Sequence, residues 1–182
     1  METASAAKVG DETWDAVYAR VAPRLDAYCR RRLPPDDAEE AVSETLARGV
    51  AALPRYRDTG HGIDAWLFGI CRNVVLDQQR RSWRRRSARG QDALAIAAWS
   101  PAEAGPMDAL LGREEAQLLR VAFAELSPDD REILELRVVA GLDADGVAEV
   151  LGKKAGAVRM AQSRALSRLR DHLARLDPED PT

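Results

Sequence analysis

Six arginines (Arg80, Arg81, Arg84, Arg85, Arg86 and Arg89) fall within ten positions of the stretch DQQRRSWRRRSARG. No acid lies among them, and Trp83 sits inside the run. Guanidinium groups at this density suit a polyanion, because each can neutralise a phosphate and release condensed counterions. The rest of the chain points the other way. Net charge is −3 and the sequence pI is near 5.5. Without those six arginines, 21 Lys and Arg would face 30 Asp and Glu, a balance of −9. A second polarity change lies further on. Residues 128–150 carry seven acids and two arginines, whereas residues 151–175 carry seven cations (Lys153, Lys154, Arg159, Arg164, Arg168, Arg170, Arg175) against Asp171 alone. Asn73, Asp77 and Arg80 follow one another at helical spacing just before the arginine run, and Asn73 has a donor and an acceptor suited to a base edge. These are groups for holding nucleic acid.

Little else offers chemistry. His61 and His172 are the only histidines, and neither has a metal-ligand neighbour at usable spacing. Cys29 and Cys71 lie on apolar-patterned stretches and read as buried free thiols. There is no phosphate loop, Gly-rich dinucleotide turn or Ser/His/Asp set, so no cofactor and no enzymatic activity are expected. No signal peptide or membrane-spanning run is visible, and a cytoplasmic location without membrane insertion is the expectation.

The elements that must position these groups read as helices throughout, an all-α fold. Trp14, Val17, Tyr18, Val21, Leu25 and Tyr28 are spaced as one amphipathic helix, which Pro23 should kink or break. After PPDD, with Asp36 or Asp37 as a cap, a second helix presents Ala41, Val42, Thr45, Leu46 and Leu53 on one face. Residues 54–62 form a loop. A third helix, through Ile63, Trp66, Leu67, Ile70 and Val74, runs into the arginine stretch, with Trp66 aligned to the core. Residues 89–112 are a flexible linker, acidic and rich in Pro and Gly, in which Ala93–Trp99 could dock. Helices resume at Arg113. Ser127 is a candidate N-cap with Pro128 at the first helical position and Asp130 three residues past the cap, and Gly141 ends that helix. The chain thus divides into a module over 10–88, the linker, and a module over 113–176.

The second module carries a helix-turn-helix pattern. Ala148 is small where two helices cross, Gly152 tolerates positive φ in the turn, and Val158 anchors the second helix; Val147 and Leu151 add core contacts, and Asp143 can cap the first helix. A plain helical hairpin with a solvated basic helix would explain Arg168, Arg170 and Arg175 through the C-terminal dipole. It explains Lys153 and Lys154 poorly, since cations are disfavoured at a helix start. Base reading would fall to Arg159, Met160, Ser163 and Arg164.

Three stretches carry a family resemblance. DDAEEAVSETLARGV (36–50) resembles the core-polymerase-binding segment of bacterial sigma factors, AWLFGICRNVVLDQQRR (65–81) is similar to their promoter-melting helix, and residues 126–170 resemble the helix-turn-helix that reads the upstream promoter element. Two such modules with one linker match the extracytoplasmic-function subgroup over about residues 11–175. The resemblance implies a sigma factor that directs initiation from promoter DNA. Glu39, Glu40, Ser43, Glu44 and Arg48 would meet the clamp coiled coil of core RNA polymerase, with the flap as a further contact. Arg57, Asp58 and His61 would lie where a flipped minus-ten base is pocketed, and Asn73, Asp77, Arg80, Arg81 and Arg84 would follow the melted nontemplate strand. Lys153, Lys154, Arg159, Met160, Ser163, Arg164 and Arg168 would read the minus-thirty-five element. An anti-sigma factor is implied as a partner, and the acidic linker would occupy the polymerase cleft in place of nucleic acid, a disordered tether being the plainer account. The chain departs from the family at Ser43 (usually glutamine), Leu46 (usually phenylalanine), Gly146 (usually glutamate) and Ala157 (usually threonine).

Alternatives stay open at this point. Glu44 and Arg48 could be a solvated i,i+4 pair. Trp83 could stack on a base, pack on its own module or touch a partner. The whole chain could be a stand-alone helix-turn-helix regulator or a protein-interaction adaptor.

Overall fold

The period-3.6 apolar spacing becomes helices nearly everywhere it occurs. The computed structural model describes residues 8–9, 12–58, 60–88 and 113–176; the linker, including Ala93–Trp99, and Arg89 lie outside them. A two-residue antiparallel ribbon, β1 (Lys8–Val9) with β2 (Glu12–Thr13), precedes the first helix. Helix α1 spans Trp14–Arg30 with Thr13 as its N-cap. It buries Trp14, Val17, Val21, Leu25, Tyr28 and Cys29, each large apolar side chain contributing about 1.5–3 kcal/mol relative to exposure. Two expectations change here. Pro23 does not break α1, because it sits on the exposed face, where a lost backbone bond is solvated by water. Tyr18 is half exposed, because α1 turns its buried stripe through Val17 and Val21 instead.

Helix α2 (Pro35–Ala52) starts one residue before the expected caps. Its N-cap is Pro34, with no side-chain bond, and Asp36 and Asp37 fall in the first turn, where they complement the helix dipole. Ala41 and Thr45 are buried on the expected face, with Val42, Leu46 and Leu53 half buried beside them. A 3-10 turn over Leu53–Arg55 leads into the loop, and Gly60 and Gly62 take the positive φ that brings the chain into α3 (Gly62–Ala88). Cys29 of α1 and Cys71 of α3 meet in the interior as free thiols, Sγ to Sγ 3.4 Å; this contact together with burial pushes the Cys29 thiol up.

Helices α4 (Arg113–Ala124), α5 (Pro128–Val138), α6 (Ala144–Leu151) and α7 (Ala155–Leu176) form the second module. Ser127 caps α5 by accepting from the Asp130 N–H, as expected. The helix stops at Val138, three residues before Gly141, whose φ of 60° turns the chain toward α6. Asp143 caps α6 at 2.7 Å from the Gly146 N–H, and Gly152 takes the left-handed φ of 62° in the turn. Val147, Ala148 and Val158 are buried where α6 and α7 cross.

The two modules share one interior. Ile133, Leu136, Ala140, Leu142, Ala144 and Val147 belong to the same apolar cluster as Val21, Tyr28, Phe68 and Val75, with α6 laid across α3. Leu126, Leu134 and Ala165, with Phe123 and Leu169, form a smaller cluster between α4, α5 and α7. Among the described residues no helix is long and apolar enough to cross a membrane.

Gly49 marks the closest approach of α2 to α3: a Cβ there would lie 2.7 Å from Leu67 Cδ2 and 3.4 Å from the Trp14 ring. Gly49→Val is expected to destabilise the chain by about 1–3 kcal/mol in thermal or urea unfolding, through overpacking.

Candidate nucleic-acid interface

The loop before α3 is shaped by its own side chains. Asp58 Oδ1 accepts from the N–H groups of Gly60 (2.8 Å) and Gly62 (3.2 Å), so this carboxylate is committed to holding the turn. Arg57 is exposed and donates to the Tyr56 carbonyl. The Tyr56 ring lies 5.0 Å from Trp66, which is half buried against the core, consistent with its expected alignment. His61 is half buried, with its Nε2 3.9 Å from Glu149 of α6. The loop thus borders a cleft of about 490 Å³ whose other wall is the turn Gly141–Asp143 of the second module; Arg20, Arg24 and Asp64 also line it. Asp64 pairs with Arg24 at 2.5 Å and also with Arg20.

Along α3, Asn73 is exposed and Asp77 pairs with Arg80 at 3.2 Å, so these three do share an outward face. Arg81 and Arg84 are exposed and have no ion-pair partner among the described residues. Trp83 is 43% exposed and stands outside both apolar clusters. On α2, Glu39, Glu40, Ser43 and Arg48 are exposed, and Glu44 holds Arg48 at 2.6 Å. Glu39 also reaches Arg30. The arrangement is one solvated acidic face.

In the helix-turn-helix, Lys153, Lys154, Arg159, Ser163 and Arg164 are exposed and Met160 is 65% exposed. Arg159, Met160, Ser163 and Arg164 project from α7, which Val158 seats, while Lys153 and Lys154 lie in the turn before it, so their positions are set by packing they do not share. Arg159 comes within 3.9 Å of Asp145. Arg168 differs from the rest. It donates to the buried Asp130 at 2.5 Å, tying α7 to α5, and so serves the module's structure.

A set of arginines that sequence reasoning passed over does the joining between modules. Arg32 pairs with Glu135, the two side chains 13% and 4% exposed, and stacks on the Tyr28 ring at 3.7 Å. Burial raises the Glu135 carboxyl, whereas Arg32 is held above its ordinary value against the same burial by Tyr28, Glu135 and Glu132. The guanidinium does not deprotonate in proteins, so Arg32 brings a full positive charge to this buried contact. Arg72 holds Glu132 at 2.9 Å, and Arg24 donates to the Ala140 carbonyl. The run Arg30-Arg31-Arg32 was a visible signal, but nothing in its spacing names a partner more than a hundred positions away. Among the described residues, no group of His, Cys, Asp or Glu gathers as a metal site.

Comparison with known proteins gives a consistent result. The model of Sigma-70 region 2 matches residues 17–85 and that of Sigma-70 region 4 matches residues 116–169. The chain is 37% identical over 160 residues to the ECF RNA polymerase sigma factor ShbA of Streptomyces griseus, covering 85% of this chain and 84% of that protein. It is 35% identical over 162 residues to the ECF RNA polymerase sigma factor SigD of Mycobacterium tuberculosis, covering 86% and 75%. Among solved structures it resembles the sigma factor RpoE of Bartonella quintana in complex with the anti-sigma factor NepR, at 28% identity and a TM-score of 0.64, covering 88% of this chain and 96% of that one.

Two substitutions separate structural from binding roles. Arg168→Ala leaves Asp130 buried and unpaired and is expected to destabilise the chain by about 1–3 kcal/mol in denaturant unfolding. Trp83→Ala is expected to destabilise the chain by no more than about 1 kcal/mol in denaturant unfolding, because the ring stands outside both apolar clusters.

Proposed function

The chain belongs to the extracytoplasmic-function RNA polymerase sigma factors, and from that premise we propose how its surfaces divide the work of directing initiation. The exposed basic start of α7 reads the minus-thirty-five element: Arg159, Met160, Ser163 and Arg164 reach base edges, while Lys153 and Lys154 contact phosphates. The observation that carries this reading is that Arg159, Met160, Ser163 and Arg164 face solvent together on a helix whose opposite side, through Val158 and Ala165, is buried, with Lys153 and Lys154 exposed in the turn that leads into it. Arg168 leaves the reading set and remains a brace for α7.

On the first module, Asn73 and Arg80 meet unpaired bases of the melted strand, and Arg81 and Arg84 continue as a phosphate track. In this role Asp77 orients Arg80, as its pairing supports. Asp58 shapes the loop that receives the flipped base, and Arg57 and His61 are the groups of that loop left to touch it. Extrusion costs a few kcal/mol, which such contacts offset. The solvated face of Glu39, Glu40, Ser43, Glu44 and Arg48 docks on core polymerase. Work of this kind is binding and positioning rather than covalent catalysis. The complex of the Bartonella relative with NepR makes an anti-sigma factor a partner to seek for this chain as well.

Run-off transcription with purified core polymerase tests the reading. Promoter-dependent product is expected when this protein is added, and Arg159→Ala with Arg164→Ala should lower it at least tenfold, in line with about 1–3 kcal/mol per base contact. Because the chain is net −3, duplex binding by the isolated protein should be weak at physiological salt. Sub-micromolar sequence-specific binding without core enzyme would sink this account.

A further inference from the structure

Asn73, Asp77, Arg80, Arg84 and Ser87 follow one another along α3 at steps of four, three, four and three, which puts all five on one face of the helix. Asn73, Arg80, Arg84 and Ser87 are exposed there. The face assigned above to the melted strand therefore ends on a hydroxyl. Ser87 makes no side-chain hydrogen bond to another described residue. It stands one residue before the end of α3 at Ala88, and the last turn of a helix opens at little free-energy cost. Arg84, Arg85 and Arg86 come immediately before it in the chain. Arg84 and Arg85 are exposed, with no ion-pair partner among the described residues.

No other described serine combines these features. Ser163 and Ser167 are exposed but lie inside α7, each with a single arginine in the four residues before it. Ser82 is half buried within α3, and Ser127 is committed to its cap. Ser43 stands among acids.

Given the sigma-factor reading of that face, we propose that Ser87 is a phosphorylation site for a basophilic serine kinase, and that the added phosphate withdraws α3 from promoter DNA. A kinase of this class holds the arginines two and three positions before its acceptor in carboxylate-lined subsites, where each guanidinium can pair in a bidentate way. The acceptor segment enters such a cleft extended, a shape that a fraying last turn supplies and the middle of α7 does not. Ser87 Oγ attacks the γ-phosphorus of magnesium-bound ATP. The new O–P bond forms as the bond to the β–γ bridging oxygen breaks, ADP leaves, and the hydroxyl proton passes to the catalytic carboxylate of the kinase.

The product carries a charge of about −1.5 to −2 at pH 7. Ser87 is three residues from Arg84, a separation at which helical side chains meet, so the phosphate occupies a guanidinium that would otherwise reach the DNA backbone. It also repels the phosphates of the strand, and at a helix C-terminus it opposes the dipole. The exposed acidic face that docks on polymerase belongs to α2, so holoenzyme formation is expected to survive while promoter contact weakens.

Two measurements test this. The full chain is incubated with magnesium, ATP and the catalytic subunit of a cyclic-nucleotide-dependent kinase, which belongs to this class, and fragment masses place the phosphate. Label is expected on Ser87, absent in Ser87→Ala, and slowed at least about tenfold in Arg84→Gln with Arg85→Gln. No label, or label confined to other residues, overturns the site. A chain with genetically encoded phosphoserine at 87 is then compared with the unmodified chain and Ser87→Ala in holoenzyme assembly and run-off transcription with core polymerase. All three are expected to assemble. The phosphorylated chain should give at least about tenfold less promoter-dependent product, and the slope of log affinity against log salt should fall by about 1–2. Phosphatase should restore both, and Ser87→Ala should match the unmodified chain. Equal product and equal slope overturn the regulation while the sigma-factor reading stands, as does an effect traced to lost assembly. No promoter-dependent product from the unmodified chain overturns that reading and the regulation with it.

Discussion

Arg32 and Glu135 form a charged pair in a place that water hardly reaches, and the arrangement of both modules follows from where that pair can be satisfied. Arg32 lies just past the end of α1, stacked on Tyr28, and Glu135 lies in the middle of α5. Neither charge could be buried alone without a penalty of several kcal/mol, so each constrains the other's helix. With α5 fixed over the end of α1, α6 falls across the start of α3, where a Cβ on Gly146 would lie 3.3 Å from that of Ala65. The Arg24 contact with the Ala140 carbonyl and the Arg72–Glu132 pair extend the same seam on either side.

This seam explains how an acidic chain distributes its charge. Acids are concentrated on α2, on α5 and at the start of α6; on α5, Glu132 and Glu135 answer arginines of the first module and Asp130 answers Arg168 of α7, while Glu39 and Glu40 of α2 are exposed. Exposed cations lie elsewhere, on the outer face of α3 past Asn73, in the turn before α7 and on its first turns. A net charge of −3 therefore coexists with two basic surfaces, because the neutralised arginines and the exposed ones serve different purposes. Within each surface the same division recurs. Asp58 and Arg168 lie among the charged groups of these surfaces, yet both are spent on the fold, one closing a turn and the other bracing α7.

Membership of the sigma-factor family gives these surfaces a common logic. The seam between modules combines ion pairs and small side chains with large buried ones, Ile133, Leu136 and Val147 sharing a cluster with Tyr28 and Phe68.

Much of the architecture was legible in the residues themselves. Helix positions, the Ser127 and Asp143 caps, the left-handed Gly152 and the burial of Val158 all follow from local rules, since helical periodicity and turn chemistry act over a few residues. Local rules also misled in places. Pro23 is tolerated because its face is exposed, Tyr18 turned outward because the buried stripe follows Val17 and Val21, and Asp36 and Asp37 entered the first turn instead of capping it. Sequence alone determined the helices, the family and the two basic surfaces, because each depends on residue types at short, regular spacing. Only the tertiary structure decided which charges are free and which are committed, and that the modules close on one another. Those outcomes depend on burial and on partners such as Glu135 for Arg32, separated by more than a hundred residues of chain and joined only when the helices pack.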